Sequence, residues 1–304
     1  MRRKLMIAAL APGILAPGLM AGVALAPAAA LAQEAGKDLP ENLAAIHGDR
    51  TMNGFRRFRA EKQDEMFAFY TDAVGLEATN AFTELRVYTF KNGQFKLNPR
   101  TDDRDYVDGG VADATGVRMY SFYFPDEQTV IDRFTAAGLD APEFTPVPGS
   151  TRSIARVTDP DGMPVELVAV PGEPDAADLM EVSLTVSDME TARDFYENFA
   201  GLQPIAPEED PVSGVTKTRY KQGLMIISLR DFDADLPPDT GGGGLQHVVS
   251  DVRVADGLAK ARGVQIDQPL SVLEGYDLHT IWLSDPDGII NYFAQLGPFP
   301  SDED

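Results

Sequence analysis

The chain of 304 residues contains no cysteine, three histidines and one tryptophan. The absence of cysteine excludes disulfides, thiolate catalysis, zinc–thiolate sites and iron–sulfur clusters. Basic residues are also scarce, because 26 lysines and arginines accompany 48 aspartates and glutamates, which gives a formal net charge of −22. Such an acidic chain is a poor ligand for nucleic-acid phosphates and for anionic membrane surfaces. We therefore expect no nucleic-acid partner.

Residues 1–32 have the pattern of a secretory signal peptide. Met-Arg-Arg-Lys opens the chain, an apolar stretch follows from Leu5, and the small-x-small site Ala30-Leu31-Ala32 ends it. Three prolines within the stretch argue against a membrane anchor. We expect cleavage after Ala32, no membrane span in the mature chain, and a location in the periplasm or outside the cell. Residues 33–49 then form an N-terminal extension.

An internal repeat divides the rest of the chain. Phe69-Tyr70 recurs as Phe195-Tyr196, and Asp-Pro-Asp-Gly at 159–162 recurs at 285–288, both at an offset of 126 residues. A Pro/Gly/acid segment lies between the two copies. The repeat predicts a first domain at 50–171, a linker at 172–176, a second domain at 177–298 and an acidic tail at 299–304.

Each copy is predicted to contain two smaller units of one strand, one helix and three strands. The clearest unit begins at Met180, where apolar and polar residues alternate, and continues as a helix that a capping box, Ser187 with Glu190, begins and Gly201 ends. We therefore predict an α+β fold of four βαβββ modules paired into two pseudo-symmetric domains. The modules of each pair are joined by loops near 101–110 and 231–244.

These motifs resemble the vicinal oxygen chelate superfamily, which includes glyoxalase I, bleomycin-resistance proteins and extradiol dioxygenases. The resemblance rests on Val186-Ser187-Asp188-Met189-Glu190 running into Phe195-Tyr196, and on Thr158-Asp159-Pro160-Asp161-Gly162 with its copy from Ser284. It implies a cleft between paired modules that binds a small molecule, often on a divalent metal such as iron, zinc, nickel or manganese. It leaves a homodimer open.

The metal-ligand positions that the resemblance implies are mostly lost. The first-strand positions fall on Phe55, Met119 and Glu181, and in the fourth module on Gly244 or His247, depending on the register. The last-strand carboxylate survives as Glu166, whereas its counterpart is Tyr292. The remaining metal candidates are Glu166, Glu181 and His247, with a set of Glu181, His247 and Tyr292 as one arrangement. We expect His47 to be solvated and His279 to lie at the surface.

Glu166 needs a partner, because a buried unpaired carboxylate is costly. A structural ion pair with Arg57 or Arg156, an arginine cluster that binds an anionic ligand, and a metal ion are the alternatives. Alternation places Arg57 and Arg59 on the cleft side of the first strand, and Arg156 is predicted to join them in the N-terminal cleft. The candidate ligand-binding residues are Arg57, Arg59, Met119, Arg156, Trp282 and Tyr292.

The missing metal ligands favour an exported small-molecule-binding protein with a degenerate metal site. The alternative is a divalent-metal-dependent lyase, isomerase or ring-cleaving dioxygenase of the same superfamily, and a third hypothesis is an interaction protein that uses the sheets as a scaffold. Glyoxalase I activity itself is disfavoured, because its thiol-conjugate substrate belongs in a reducing cytosol.

Overall fold

The computed structural model describes residues 39–47, 52–81, 85–91, 93–273 and 277–300. The predicted signal peptide, most of the predicted N-terminal extension and residues 301–304 of the predicted tail lie outside the described residues. Within the described ranges, no helix is both long and apolar enough to cross a membrane.

The predicted βαβββ modules follow one another along the chain, after a short helix α1 (Ala44–His47). The first module has β1 (Met52–Phe58), α2 (Gln63–Ala68), β2 (Ala78–Ala81), β3 (Arg86–Thr89) and β4 (Gln94–Pro99). The second has β5 (Thr115–Phe124), α3 (Glu127–Ala136), β6 (Thr145–Pro146), β7 (Ser153–Thr158) and β8 (Pro164–Ala169).

The second half of the chain repeats this order. The third module has β9 (Met180–Thr185), α4 (Met189–Arg193), β10 (Gln203–Glu209), β11 (Thr216–Gln222) and β12 (Met225–Arg230). After β13 (Pro238–Asp239), the fourth has β14 (Gly243–Val248), α5 (Val252–Arg262), β15 (Ile266–Leu273), β16 (Leu278–Ser284) and β17 (Ile290–Leu296). Wide π-helical turns, Phe69–Ala73 and Asp194–Phe199, extend α2 and α4.

The strands form two sheets, and each sheet combines two modules. The eight-stranded sheet has the order β15-β16-β17-β14-β1-β4-β3-β2, and the nine-stranded sheet has the order β10-β11-β12-β9-β5-β8-β7-β6. The first module therefore joins the fourth, and the second joins the third. We predicted pairing within each repeat. In the structure, β5 is hydrogen-bonded to β8 along one edge and to β9 along its other edge. Because β9 begins soon after β8, the third module joins the second in one sheet.

The two sheets share one hydrophobic core, which contains residues from both sheets and from the helices. Phe58 of β1 packs edge-on against Phe67 of α2, with ring centroids 5.9 Å apart. A β-carbon at Gly54 would lie 2.9 Å from Met180 of the other sheet, so glycine permits this close approach. We call the side of each sheet that contributes to this core its core face, and the opposite side its distal face.

The two Asp-Pro-Asp-Gly segments form the turns that the sequence predicts. The Asp159 carboxylate accepts hydrogen bonds from the backbone N–H groups of Asp161 and Met163 at 2.9 and 3.0 Å. Gly162 has φ of +93° and Gly288 of +80°, a conformation that favours glycine. Asp285 caps the second turn in the same way, so both repeats use an aspartate side chain to fix the backbone.

The predicted helix start in the third module is displaced by one residue. Asp188, not Ser187, is the N-cap of α4, and its carboxylate accepts the N–H of Thr191 at 2.7 Å. An aspartate is as good an N-cap as serine, because its side-chain oxygen satisfies the same unpaired N–H group. Gly201 follows the helix with φ of +73°, as predicted.

Candidate functional site

The distal face of the nine-stranded sheet carries buried ion pairs. The guanidinium of Arg156 donates to Glu166 through Nε at 3.0 Å and Nη2 at 2.9 Å, and Nη2 also donates to Asp210 at 2.6 Å. Arg230 donates through Nε to the other oxygen of Asp210 at 3.0 Å. Of the alternatives that the sequence leaves open for Glu166, the structural ion pair with Arg156 is the one observed.

Glu181 lies on the same distal face and has two cations of its own. Lys217 Nζ lies 3.1 Å from one carboxylate oxygen, and Arg219 Nη2 lies 3.3 Å from the other. The Tyr123 hydroxyl donates to Glu181 as well, at 3.2 Å. Lys217 and Arg219 both also contact Glu208, at 3.5 and 2.7 Å. Charges of both signs therefore alternate across this face.

The cations of this face keep Glu181 and Asp210 ionised. Burial alone would raise the pKa of Glu181, but the charges of Lys217 and Arg219 outweigh burial and lower the pKa to about 2. Burial is likewise outweighed at Asp210, where Arg230 and the hydrogen bond from the Val212 N–H bring the pKa to about 2. These carboxylates are charged at neutral pH and already bound by fixed cations.

The residues at the metal-ligand positions of the resembled superfamily do not fit a divalent metal. The last-strand positions Glu166 and Tyr292 stand beside Ser121 and Gln246 of the first strands. In the other two modules, the distal-face pairs of first and last strand are Phe55 with Lys96, Arg57 with Asn98, Glu181 with Ile226, and Ser183 with Ser228. Both carboxylates of this set are held by cations, Glu166 by Arg156 and Glu181 by Lys217 and Arg219. Across the described ranges, no group of three or more histidines, aspartates or glutamates could hold a metal ion.

The predicted metal residues are not brought together. Glu166 and Glu181 lie in the nine-stranded sheet, whereas His247 lies in β14 of the eight-stranded sheet, next to Phe293 of the shared core. Tyr292 is on the distal face of that sheet, so the arrangement of Glu181, His247 and Tyr292 does not form either. The residue of β14 that stands beside Tyr292 is Gln246, so neither proposed register of the fourth module is correct.

His247 is a hydrogen-bonded core histidine. Its Nδ1 lies 3.1 Å from Gln222 Oε1, and its Nε2 lies 3.0 Å from Asn291 Oδ1. Burial, together with the neighbouring His47, lowers the pKa of His247 to about 3, so the ring is neutral at physiological pH. The neutral ring donates from one nitrogen to one of these oxygens, and both nitrogens lie against amide side chains in the core.

The other two histidines are also largely buried, contrary to prediction. His47 Nε2 lies 2.7 Å from the carbonyl oxygen of Ala200, and its Nδ1 lies 2.9 Å from Gln222. His279 packs against the ring of Phe299, with centroids 4.2 Å apart, and is 8% exposed. His47 is buried because α1 packs against the third module. Leu43, the residue before α1, donates its N–H to the carbonyl of Phe199.

The distal face of the eight-stranded sheet has buried polar groups of a different kind. The Arg57 side chain is fully buried, and its Nη1 lies 2.8 Å from Asp102, whose side chain is 37% exposed. None of the three side-chain nitrogens of Arg57 has an aligned hydrogen-bond acceptor. The Oδ1 atom of Asn98 and the Oε1 atom of Gln94, on the neighbouring strand β4, also lack hydrogen-bond partners.

Lys96 lies between Gln94 and Asn98 on this face and is 2% exposed. Its Nζ donates to Gln246 Oε1, which also accepts from Asn53 Nδ2 at 3.0 Å. Within the part of the chain that the structure describes, Lys96 forms no ion pair with a carboxylate. Burial lowers the pKa of Lys96 to about 7, with no opposite charge to offset it.

Aromatic side chains cover the neighbouring part of the same face. Phe55 and Tyr292 belong to a small buried cluster, against which Trp282 packs. The Trp282 and Tyr292 rings meet edge to face, with centroids 5.8 Å apart. On the eight-stranded sheet, Lys96 thus has no carboxylate partner among the described residues and Arg57 has only the partly exposed Asp102, next to aromatic and aliphatic surface. On the nine-stranded sheet, Arg156, Lys217, Arg219 and Arg230 are each paired with a carboxylate, although Arg219 Nε and Arg230 Nη1 and Nη2 have no aligned hydrogen-bond acceptor.

The predicted convergence of three arginines is wrong. Arg156 lies in the nine-stranded sheet, and Arg59 turns to the Asp-Pro-Asp-Gly turn, where its Nε donates to Asp161 at 2.6 Å. Arg59 follows the last residue of β1, so the strand alternation no longer applies to it. Met119 is buried in β5 beside Ser183, also in the nine-stranded sheet. Of the predicted ligand-binding residues, Arg57, Trp282 and Tyr292 share one face.

Two groups of buried polar residues were not predicted from the sequence. Arg56 is fully buried and donates to Asp159 at 3.0 Å, which stabilises the first Asp-Pro-Asp-Gly turn. Lys96 and Asn98 were missed because the strand that carries them was not recognised. The segment Gln94-Phe95-Lys96-Leu97-Asn98 alternates polar and apolar residues, and this period-2 pattern was the available signal.

Comparison with curated proteins gives one significant relative. The chain is 23% identical over 253 residues to a lactoylglutathione lyase of Arabidopsis thaliana, covering 76% of this chain and 87% of the relative. No family model matches the sequence.

Solved structures resemble the chain over most of its length. Glyoxalase I from Zea mays has a TM-score of 0.60 at 19% identity, covering 81% of this chain and 92% of the maize chain. A candidate dioxygenase from Bacillus subtilis has a TM-score of 0.59 at 16% identity, covering 86% and 87% of the two chains. At such identities the likeness establishes the fold. The protein therefore has the tandem βαβββ fold of the glyoxalase and dioxygenase proteins.

Proposed function

We propose that the protein binds a small organic molecule on the distal face of the eight-stranded sheet, without a metal ion. The observation that carries the proposal is the buried Lys96, which has no carboxylate partner among the described residues and lies between two unpartnered acceptors, Gln94 Oε1 and Asn98 Oδ1. A buried polar atom without a partner costs about 1–3 kcal/mol. A ligand that supplies the missing partners would recover this free energy.

The chemistry of the face supports a ligand of mixed character. Phe55, Trp282 and Tyr292 provide apolar and aromatic surface, and the neighbouring Lys96 and Arg57 provide directed donors. Small-molecule sites commonly combine an apolar lining with a few fixed polar groups that orient the ligand. The nine-stranded sheet is a weaker candidate, because the carboxylates of its distal face already have cation partners.

The alternative function is a divalent-metal-dependent lyase, isomerase or dioxygenase, and the similarity to a lactoylglutathione lyase favours it. Such an enzyme needs several carboxylate or imidazole ligands around one metal. The equivalent positions here offer two carboxylates, Glu166 and Glu181, and fixed cations are bound to both. We therefore favour binding over metal catalysis.

Export completes the proposal. The basic start, the apolar stretch and Ala30-Leu31-Ala32 are the features that support it. N-terminal sequencing of protein recovered from the periplasm or the medium should begin near Gln33. Mature protein that begins at Met1, or that stays in the cytosol, would contradict export.

Trp282 allows a direct test of the binding site, because it is the only tryptophan of the chain. We would dialyse the protein against a chelator and screen small aromatic and aliphatic compounds by tryptophan fluorescence and calorimetry. The proposal expects some compounds to bind with a change in Trp282 emission, and the dissociation constant to stay within twofold when nickel, zinc, manganese or ferrous ion is added.

A matched variant locates the site. Asn98→Leu removes an unpartnered acceptor of the eight-stranded sheet, and Ser228→Ala alters the equivalent last-strand position of the nine-stranded sheet. Binding that is weakened by Asn98→Leu and not by Ser228→Ala supports the proposal. Binding that requires metal, or that is sensitive only to Ser228→Ala, favours the alternative.

A further inference from the structure

We infer that the ligand carries a carboxylate, which Arg57 binds on the distal face of the eight-stranded sheet, with Lys96 as a second positive charge of the same face. The inference rests on the proposed binding function and specifies its substrate class. It follows from the charges of this face, from the geometry of Arg57 and from the two unpartnered acceptors of β4.

The charges of the face are unbalanced. Lys96 and Arg57 are both buried, and the only carboxylate within ion-pair distance of either, among the described residues, is the partly exposed Asp102. The chain has an excess of 22 negative charges, so acids are not in short supply. On the other sheet the buried Lys217 has two carboxylate partners, Glu181 and Glu208. A buried cation without a carboxylate is costly, and an anionic ligand would remove that cost.

The planar guanidinium of Arg57 matches the geometry of a carboxylate better than that of a spherical anion. Its Nε, Nη1 and Nη2 atoms all lack an aligned acceptor. A planar carboxylate accepts two parallel hydrogen bonds from such a fork, and charge-assisted bonds of this kind are the strong ones. Lys96 stands beside Phe55 of β1, two residues before Arg57 on the same face, and its Nζ is directed to Gln246, so the face carries positive charge at two separate points.

The unpartnered acceptors add a second requirement. Asn98 Oδ1 and Gln94 Oε1 can only accept, and Asn98 stands directly beside Arg57 in the register. A ligand with a hydroxyl or amino group next to its carboxylate would donate to Asn98 while Arg57 holds the carboxylate. The aromatic residues Trp282 and Tyr292 on the same face favour an apolar remainder. The chemical class is thus a small apolar carboxylic acid with a neighbouring hydrogen-bond donor.

The test uses acids paired with their uncharged amides. Phenylacetate and phenylacetamide, mandelate and mandelamide, and hexanoate and hexanamide are titrated by calorimetry and Trp282 emission at pH 6.5, with inorganic phosphate as a separate anion. We expect each acid that binds to bind at least tenfold more tightly than its amide, mandelate to bind more tightly than phenylacetate, and phosphate to compete weakly.

Variants assign the effect to residues. Arg57→Gln and Lys96→Gln should each weaken mandelate binding at least tenfold, whereas Lys221→Gln removes an exposed charge of the other sheet and should leave it within twofold. Thermal unfolding confirms that each variant is folded, and Lys96→Gln keeps the test valid if Arg57→Gln does not fold.

The outcomes separate the inference from the function on which it rests. Amides that bind as tightly as their acids, or unchanged affinity in both glutamine variants, would overturn the carboxylate and leave the binding function standing. Phosphate that binds more tightly than every acid would replace the carboxylate by a phosphate. If no acid, amide, amine or phosphate changes Trp282 emission or releases heat, both the inference and the proposed function fail.

Discussion

The distal faces of the two sheets solve the same physical problem in opposite ways. Both bury basic side chains, but the nine-stranded sheet gives Lys217 and Arg156 carboxylate partners, whereas the eight-stranded sheet leaves Lys96 with an amide oxygen. Paired charges inside a protein stabilise a defined arrangement, and unpaired charges are retained only at a cost. The difference supports our proposal that the eight-stranded sheet binds a ligand.

The largest effect is expected on the nine-stranded sheet. Glu181→Gln leaves Lys217 and Arg219 next to a neutral amide, so we expect the free energy of unfolding at pH 7 to fall by about 3–5 kcal/mol. The pKa of Glu181 is lowered to about 2, so its stabilisation is complete above its ordinary value of 4.5 and is lost as the pH falls toward 2.

Urea unfolding at several pH values measures both effects of Glu181→Gln. The variant should lose less stability than the wild-type protein between pH 4.5 and pH 2.5, because the titrating group is gone. An unchanged free energy of unfolding together with loss of a bound metal would show that Glu181 is a metal ligand after all.

The aspartates that cap the two Asp-Pro-Asp-Gly turns also differ in whether a cation is paired with them. Asp159 has Arg56, whereas Asp285 forms no ion pair with any described residue and accepts hydrogen bonds, among them one from the Tyr196 hydroxyl at 2.7 Å. Burial raises the pKa of Asp285 to about 7. The folded state therefore keeps a proton that the unfolded state releases near pH 4, and stability falls as the pH rises from about 4 to 7.

Asparagine substitution at these turns should have effects of opposite sign. Asp285→Asn keeps the acceptor for the turn and supplies a donor to Tyr196, so we expect stabilisation by roughly 2–4 kcal/mol at pH 8 and little change at pH 4. Asp159→Asn weakens the pairing of the buried Arg56 and should destabilise at both values. Thermal or urea unfolding at the two pH values measures this, and equal effects of the two substitutions would contradict the account.

A smaller effect is expected on ligand affinity. Burial lowers the pKa of Lys96 to about 7 in the unliganded protein. Mandelate should bind the protonated lysine, so its affinity should fall about fivefold between pH 7 and pH 8, with uptake of a proton on binding. Calorimetry in buffers of different ionisation enthalpy measures the number of protons taken up per mandelate bound. Lys96→Met should remove the pH dependence, and a pH-independent affinity in the wild-type protein would argue against contact with Lys96.

Much of the fold was predictable because turns and periodicity are local properties of the sequence. The Asp-Pro-Asp-Gly turns and the 126-residue offset required only short motifs, and the structure confirms the modules they predict. The pairing of modules was not predictable in the same way. The loops are long enough for the second module to pair with either the first or the third. Which of the two it joins depends on how β5 and β9 match along their whole length.

The candidate site was only partly predictable, because it depends on strand register. A shift of one residue exchanges the faces of a strand, and the glycines before Gln246 have no side chains to show which face is buried. His247 was therefore assigned to the cleft, although it lies in the core. Arg57 was placed correctly because Phe58 fixes the alternation of β1, whereas Arg59 lies beyond its end.

The most direct test compares two buried lysines that occupy the distal faces of the two sheets, Lys96 and Lys217, which are 2% and 3% exposed. Each is replaced by methionine, and the free energy of unfolding is measured in urea at pH 6.5 without added ligand. The account predicts that Lys96→Met is at least as stable as the wild-type protein, because an uncompensated charge is removed. Lys217→Met should be less stable by about 3 kcal/mol, because Glu181 and Glu208 lose a partner. Equal destabilisation by both substitutions would contradict the claim that one sheet has compensated charges and the other awaits an anion.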